Sequence, residues 1–166
     1  PAPGARRDFP DVITSALATE SLAAAVYVRD GLVWKTAIDD KIASRGVLVM
    51  DLHEAALSHA KLVEPYLGSL VGPGFGKFEA YANAAWTGGL LVYIPRGVEV
   101  DRPIHIVTAQ PQPGAYRSGR LLVIVEPQAS LTLIDEYGDG MVAGKDTSHT
   151  TNIVELFVAD AGRLHY

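Results

Sequence analysis

A pattern that occurs three times after Leu90 constrains the fold of this chain more than any other feature of its sequence. The segments 90–100, 121–131 and 154–164 align without a gap. Each has an apolar run and three residues typical of a turn. A small, a polar and an apolar residue follow, and the last of these starts the next run. The offsets between the segments are 31 and 33 residues. A fixed period of this length is typical of stacked supersecondary units.

The repeat favours a β-solenoid over a propeller or an immunoglobulin-like sandwich. Those folds use hairpins, for which Asn-Gly or Asp-Gly is the usual turn. After Leu90 neither dipeptide bridges two adjacent apolar runs, since Asp139-Gly140 lies in a longer predicted loop. The three turn residues of each segment instead bend a strand without reversing it, which suits parallel stacking of successive coils. Because at least about three stacked units are needed, we expect a longer protein, or completion of the solenoid by another chain.

The chain is predicted to have two parts, a mixed α/β segment at 1–89 and the first coils of the solenoid at 90–166. Within the first part, Asp30-Gly31 lies between two β-prone runs and predicts a hairpin. A further short strand is expected at 47–52.

Two helices are expected before the repeat. The first begins at Asp51, which with Glu54 resembles a capping pair, and ends near Leu67 with one apolar face. The second is expected at about 77–86 and ends before Gly88-Gly89. It carries five apolar residues along one side: Phe78, Tyr81, Ala82, Ala85 and Trp86.

Charge and apolar run lengths exclude several classes of protein. Fourteen Lys and Arg against 19 Asp and Glu give a net charge of −5, which does not favour nucleic acid or an anionic membrane surface. The longest apolar runs, 22–28 and 90–94, are far shorter than the roughly 20 residues of a membrane-spanning helix. A permease role therefore has no support in these residues. With no secretory signal visible, the expected location is the cytoplasm.

The chain contains no cysteine. This excludes disulfides, a thiol nucleophile and a zinc ribbon. It also excludes an iron–sulfur cluster held by thiolates of these residues alone.

Three long stretches match one family in their amino-acid sequence and in their order along the chain. They are GVLVMDLHEAALSHAKLVEPYLGSLV, KFEAYANAAWTGGLLVYIPRGVEVDRPIHI and LLVIVEPQASLTLIDEY. The most specific pieces are 83–104 and 123–137. Together they resemble the SufB/SufD family of the SUF iron–sulfur cluster assembly system, over about residues 26–166.

The resemblance implies a right-handed parallel β-helix core after a mixed helical N-terminal region. It also implies a non-catalytic scaffold subunit, with a SufB-like paralogue and a SufC-like ATPase as partners. The SufB branch tends to have Ser-Gly-Gly-Ser where 87–90 stand here, and a Cys-containing stretch where 133–137 stand. We therefore expect a SufD-like member. Self-association into a homodimer is a further expectation.

No functional residue of that family maps onto this sequence, so we assign no catalytic or cofactor-binding residue. A nascent iron–sulfur cluster is expected only in a complex with a partner that supplies thiolates. Weak metal candidates are His149 and the acidic residues of the predicted loop before it, Asp135, Glu136 and Asp139. A metal site needs several such side chains to converge at about 2.0–2.2 Å from the ion. The simpler interpretation is a solvated connection between coils. The remaining histidines show no ligand spacing: His53, His59, His105 and His165.

Three other functions are less favoured. The stretch VGPGFGK is similar to a phosphate-binding loop, but Val71 and Phe78 stand where that motif needs Gly and Ser or Thr. A β-solenoid carbohydrate-active enzyme would use the same carboxylates as acid and base. Such enzymes line their clefts with aromatic residues, which make up only 8% of this chain. A cupin-like metal- or sugar-binding barrel needs clustered histidines, which the sequence lacks.

Overall fold

The computed structural model describes residues 21–29, 31–109, 114, 116–138 and 149–166. These residues form nine strands and four helices. The strands are β1 (Ala24–Arg29), β2 (Leu32–Ile38), β3 (Leu48–Asp51), β4 (Gly88–Ile94), β5 (Ile104–Ala109), β6 (Tyr116–Val125), β7 (Ser130–Gly138), β8 (His149–Val158) and β9 (Arg163–His165). The helices are α1 (Asp40–Ala43), α2 (Leu52–Ser58), α3 (Ala60–Val63) and α4 (Lys77–Ala85).

The strands form two sheets. A five-stranded sheet has the order β2-β1-β5-β7-β9, and a four-stranded sheet has the order β3-β4-β6-β8. The pairs β1–β2 and β3–β4 are antiparallel. The remaining neighbours pair in parallel. The predicted hairpin is confirmed by the β1–β2 pair, although Asp30 of its turn lies outside the described residues.

This topology corrects the predicted fold class. The expected right-handed parallel β-helix is wrong, because both sheets mix parallel and antiparallel pairs. Both antiparallel pairs involve residues that precede the repeat, which contribute β1, β2 and β3 to the two sheets. The repeat pattern carries no information about those strands, so a fold predicted from it is more regular than the observed one.

The aligned segments of the repeat do lie side by side, in register. Leu90 pairs with Leu121, and Leu121 pairs with Val154. The corner within each segment also repeats one backbone conformation, with a positive φ of 69° at Gly97, 62° at Gln128 and 57° at Ala161. The offsets in the sequence therefore predict which strands are parallel neighbours.

The four-stranded sheet is the middle of three layers. Leu90 and Val92 face the five-stranded sheet and join the core between the sheets, whereas Leu91 between them belongs to a second core beneath the helices. Because successive side chains of a strand point to opposite faces, both faces of β4 are buried. This explains the continuous apolar runs, which are typical of strands buried on both sides. The second core consists of Leu52, Ala55, Val63, Leu91, Leu122 and Ile124.

The helices differ from their predicted form in two ways. Asp51 caps α2 as expected, and its carboxylate accepts hydrogen bonds from the N–H groups of His53 and Glu54 at 2.9 and 3.1 Å. The single helix expected up to Leu67 is instead divided into α2 and α3, because His59 takes non-helical angles of φ −129° and ψ 39°.

The predicted apolar side of α4 joins the core only in part, and Trp86 just after the helix packs against the second core. Ala82 is its buried residue, whereas Phe78 and Tyr81 are 66% and 53% exposed. With nine residues, α4 is the longest helix of the described part of the chain. No helix in that part combines the length and the apolar character needed to cross a membrane.

Truncation of the second core tests its contribution to stability. Leu122 is 1% exposed, so Leu122→Ala is expected to lower the free energy of unfolding by about 2–5 kcal/mol. Leu57→Ala is the matched control, because Leu57 is 87% exposed on α2. Its change should stay within about 0.5 kcal/mol. Urea denaturation measures both, and equal losses would contradict the layer assignment.

Candidate functional site

A small cavity with a mostly apolar lining and several polar side chains lies between the two sheets. Its volume is about 50 Å³. A water molecule needs about 10–15 Å³ of such space, so the cavity has room for a few waters. Its apolar wall includes Leu90, Ile106 and Leu121. Its polar lining includes Thr108, Arg117, Asp135, Tyr137, Thr150 and Asn152.

Glycine makes this close arrangement of strands possible. Gly88 pairs with Gly119, and Gly119 pairs with Asn152, so two glycines and one amide occupy the same position in successive repeats. A Cβ on Gly88 would overlap the backbone carbonyl oxygen of Gly31. A Cβ on Gly119 would overlap the side-chain oxygen of Asn152. The cavity therefore lies where two glycines leave the space that larger side chains would fill.

Asp135 brings a carboxylate into this part of the core. It pairs with Ile106, which pairs with Val26, so it continues a column of aliphatic residues. Tyr166 donates its hydroxyl to Asp135 Oδ2 at 2.7 Å, and Tyr137 donates to the same oxygen at 3.3 Å. The two phenols supply hydrogen bonds that a partly buried carboxylate needs.

The hydrogen-bond chain extends across to the other sheet. Asn152 Nδ2 donates to the Tyr137 hydroxyl at 2.9 Å. Burial, followed by the charge of Asp135, raises the pKa of Tyr137 to about 12. Burial, followed by its hydrogen bond to Asp135, also raises the pKa of Tyr166. Both phenols therefore stay protonated at neutral pH, and they serve as hydrogen-bond donors.

The structure separates the acidic candidates that the sequence placed in one loop. Asp135 and Glu136 lie on β7, and adjacent strand residues point to opposite faces. Asp135 lines the cavity, whereas Glu136 Oε2 lies 2.9 Å from Nε2 of His105 on the outer face. The placement in a loop is wrong for both, because 131–137 alternates strictly between inward and outward positions.

Of the other two candidates, His149 is described and does not join Asp135. His149 is exposed at the start of β8, and its neighbour Thr150 lines the cavity, so His149 points to the opposite face. Asp139 lies outside the described residues. Across 21–29, 31–109, 114, 116–138 and 149–166, no three His, Cys, Asp or Glu side chains lie close enough together to hold a metal ion.

The geometry also bears on the carbohydrate-enzyme alternative. A glycosidase needs two carboxyl groups about 5–9.5 Å apart that flank one bond. Asp135 and Glu136 cannot flank one bond from opposite faces of a sheet. The cavity of about 50 Å³ is also far below the roughly 300 Å³ of a typical ligand pocket. A larger open hollow that Asp135 borders beside Tyr166 has no second acidic side chain in its described lining. The arrangement around Asp135 suits bound water and hydrogen bonding better than sugar chemistry.

Sequence reasoning missed a second polar cluster, on the helix-facing side of the four-stranded sheet. Arg120 Nη1 lies 3.6 Å from Glu155 Oε2, and the Glu155 side chain is 2% exposed. Burial lowers the pKa of the Arg120 guanidinium, and the charge of Glu155 opposes that shift. Glu155 is in register with Leu122 and, through it, with Leu91. A carboxylate in an aliphatic column of the repeat was the available signal.

Two mixed sheets with a helical layer on one face define a layered α+β domain with a small cavity between its sheets. A family model described as the SufBD protein N-terminal region matches residues 18–106. This covers more than half of the chain, which therefore belongs to the SufBD family. The match agrees with the resemblance found in the sequence.

Curated relatives extend the similarity beyond the matched region. The chain is 25% identical over 129 residues to the iron-sulfur cluster assembly protein SufB of Bacillus subtilis, covering 76% of this chain and 27% of the relative. It is 24% identical over 131 residues to an iron-sulfur cluster assembly SufBD family protein of Staphylococcus haemolyticus, covering 78% and 27%. A SufBD family protein of Mycobacterium tuberculosis is 33% identical over 68 residues, 41% of this chain and 8% of the relative. The chain spans about a quarter of the first two relatives.

Adding a methyl group tests the close approach at Gly88. Gly88→Ala would place its Cβ against the backbone carbonyl of Gly31, which cannot rotate away. We expect it to lower the free energy of unfolding by about 1–3 kcal/mol, as overpacking does. Gly74→Ala is the matched control, since a Cβ there meets no heavy atom within 4 Å. Urea unfolding that finds the two variants equally stable would rule out the close approach.

The titration of Tyr137 tests the cavity network. Its folded-state pKa of about 12 lies above the ordinary value of 10.0. The protonated phenol therefore contributes stability that is complete below pH 10 and is lost as the pH rises towards 12. We expect a tyrosinate absorbance transition near pH 12 whose amplitude Tyr137→Phe reduces by one tyrosine. Asp135→Asn should lower the pH of this transition, because the neutral amide no longer repels the phenolate. A transition unchanged by Asp135→Asn would contradict the assigned contact.

Proposed function

We propose that this chain is part of a scaffold component of iron–sulfur cluster assembly, a SufD-like subunit that acts in the cytoplasm with a SufB-like paralogue and a SufC-like ATPase. Membership of the SufBD family over residues 18–106 carries the proposal. Relatives from Bacillus subtilis and Staphylococcus haemolyticus are named as iron-sulfur cluster assembly proteins. The proposed role is structural and not catalytic.

The cysteine content supports a division of labour within that machinery. Iron–sulfur clusters are held mainly by thiolates, and these 166 residues contain none. Any thiolate ligand of a nascent cluster must therefore come from outside these residues. A SufB-like paralogue is the proposed source. In this scheme the cluster is cargo of the complex, and the present residues supply a rigid wall.

The sheet edges give that wall a means of association. Among the described strands, β8 and β9 are the last members of the two sheets. Val158 on β8 and Tyr166 beside β9 are 46% and 52% exposed. An edge strand offers unpaired N–H and C=O groups that a strand of another chain can extend. The same edges could pair between two copies, which is the expected homodimer.

The SufD-like assignment rests on two short stretches. They are Thr87-Gly88-Gly89-Leu90 and 133–137, and both differ from the residues that the SufB branch tends to have there. Gly88 and Gly89 are both tightly packed, and a Cβ on Gly89 would lie 2.7 Å from the Arg120 carbonyl oxygen. The Gly-Gly pair is thus explained by packing, and the branch is proposed from the residues around it.

Purification of the full-length parent protein from its native cells tests the proposal. We expect a SufB-like chain and a SufC-like ATPase to co-purify, as identified by mass spectrometry. Iron and acid-labile sulfide should accompany the complex and be absent from the isolated subunit. An untagged strain processed in parallel is the control. Recovery of the protein alone, with cleavage of acidic polysaccharide, would overturn the proposal in favour of the carbohydrate-enzyme alternative.

A further inference from the structure

Glu155 on β8 binds the backbone of a distant loop. Its carboxylate accepts hydrogen bonds from the N–H groups of Gly68 at 2.9 Å, Leu70 at 3.0 Å and Val71 at 3.2 Å. The side chain is 2% exposed. A buried carboxylate is tolerated only where hydrogen bonds and a counter-charge compensate its lost hydration. The loop supplies the hydrogen bonds, and Arg120 supplies the charge.

Arg120 and Asn83 close this arrangement into a ring. Arg120 Nη2 donates to Asn83 Oδ1, while Nη1 faces Glu155. Asn83 Nδ2 in turn donates to the carbonyl of Val71 at 3.2 Å. The stretch from 68 to 71 is therefore held through its N–H groups by β8 and through a carbonyl by α4.

The loop 68–76, which begins with this stretch, has few other contacts that attach it to the sheet. Residues 68–76 include four glycines and one proline, and no charged side chain. Leu70 and Phe75 are 46% and 74% exposed, so they contribute little apolar burial. Loops with few buried apolar contacts open at low free-energy cost. The polar ring is thus the main attachment of the loop to the sheet.

We propose that Glu155 is a latch: the loop 68–76 stays docked on the four-stranded sheet only while β8 is paired with β6. The strand that carries the latch is the last of its sheet among the described residues, and its described pairing partner is β6. Local opening of β8 withdraws the carboxylate and frees three amides at once. The loop lies inside the family-matched residues 18–106, whereas Glu155 lies beyond them.

The latch also explains why the glycine-rich stretch is not an anion site. Backbone N–H groups of such loops bind phosphate when they converge on it. Here the N–H groups of Leu70 and Val71 converge on Glu155 Oε1. An internal carboxylate occupies the position that an external anion would need.

Hydrogen exchange of the parent protein tests the latch. In Glu155→Gln the side chain keeps its shape but loses its charge. We expect the amides of Gly68, Leu70 and Val71 to exchange at least about 10-fold faster, the change that corresponds to one charge-assisted hydrogen bond. Amides in the middle of β4 should keep their protection. Glu136→Gln is the matched control, because Glu136 is 57% exposed on the other sheet.

A second variant separates the latch from general loss of stability. Arg120→Met combined with Glu155→Leu replaces the ion pair with apolar side chains, which commonly preserves or raises stability. The sheet amides should then stay protected while the loop amides exchange fast. Unchanged loop exchange in Glu155→Gln, or a protected loop in the double variant, would overturn the proposal.

Discussion

The parallel register of β4, β6 and β8 is the constraint on which all three layers depend. Both faces of this sheet are mostly aliphatic, so a slip by one residue would still bury apolar side chains on each side. The exceptions to the aliphatic pattern remove that freedom. A one-residue slip would turn Arg120 and Glu155 into the core between the sheets, away from the loop amides and Asn83. It would also replace Gly119 opposite Asn152 with a larger side chain.

Asp135 and Glu155 each place a carboxylate in a column of aliphatic residues, but the two are stabilised by different partners. Asp135 continues the column of Val26 and Ile106, and Glu155 continues the column of Leu91 and Leu122. Asp135 is compensated by neutral phenols beside a cavity, so it stays within reach of water. Glu155 is compensated by backbone N–H groups and a guanidinium, with little access to solvent. The first arrangement is suited to holding bound water, and the second to holding two layers together.

Much of the pairing could be predicted from the sequence, but the fold class could not. The offsets of 31 and 33 residues identify the parallel neighbours and their register, because equal apolar patterns favour columns of like residues. They say nothing of β1, β2 and β3. The β1–β2 hairpin has its own local signal, but the pairings of β1 with β5 and of β3 with β4 join distant parts of the chain, and the predicted β-helix failed there. For Asp135 the run IDEYGDG suggested a polar loop, although the alternation from Leu131 to Tyr137 indicated a strand. Glu155 was visible only by comparing the repeats position by position.

The edge strand β8 connects the proposed association with the internal latch. Any chain that pairs with β8 stabilises its paired state, since a ligand that binds one state shifts the equilibrium towards it. Pairing at this edge therefore also strengthens the attachment of the loop 68–76 through Glu155. By reciprocity, a well-docked loop favours a β8 that is ready to accept a partner strand. The helical layer packs on the face of the sheet that ends at β8, and the buried Arg120–Glu155 pair joins the Tyr66–Phe157 ring contact in linking the two.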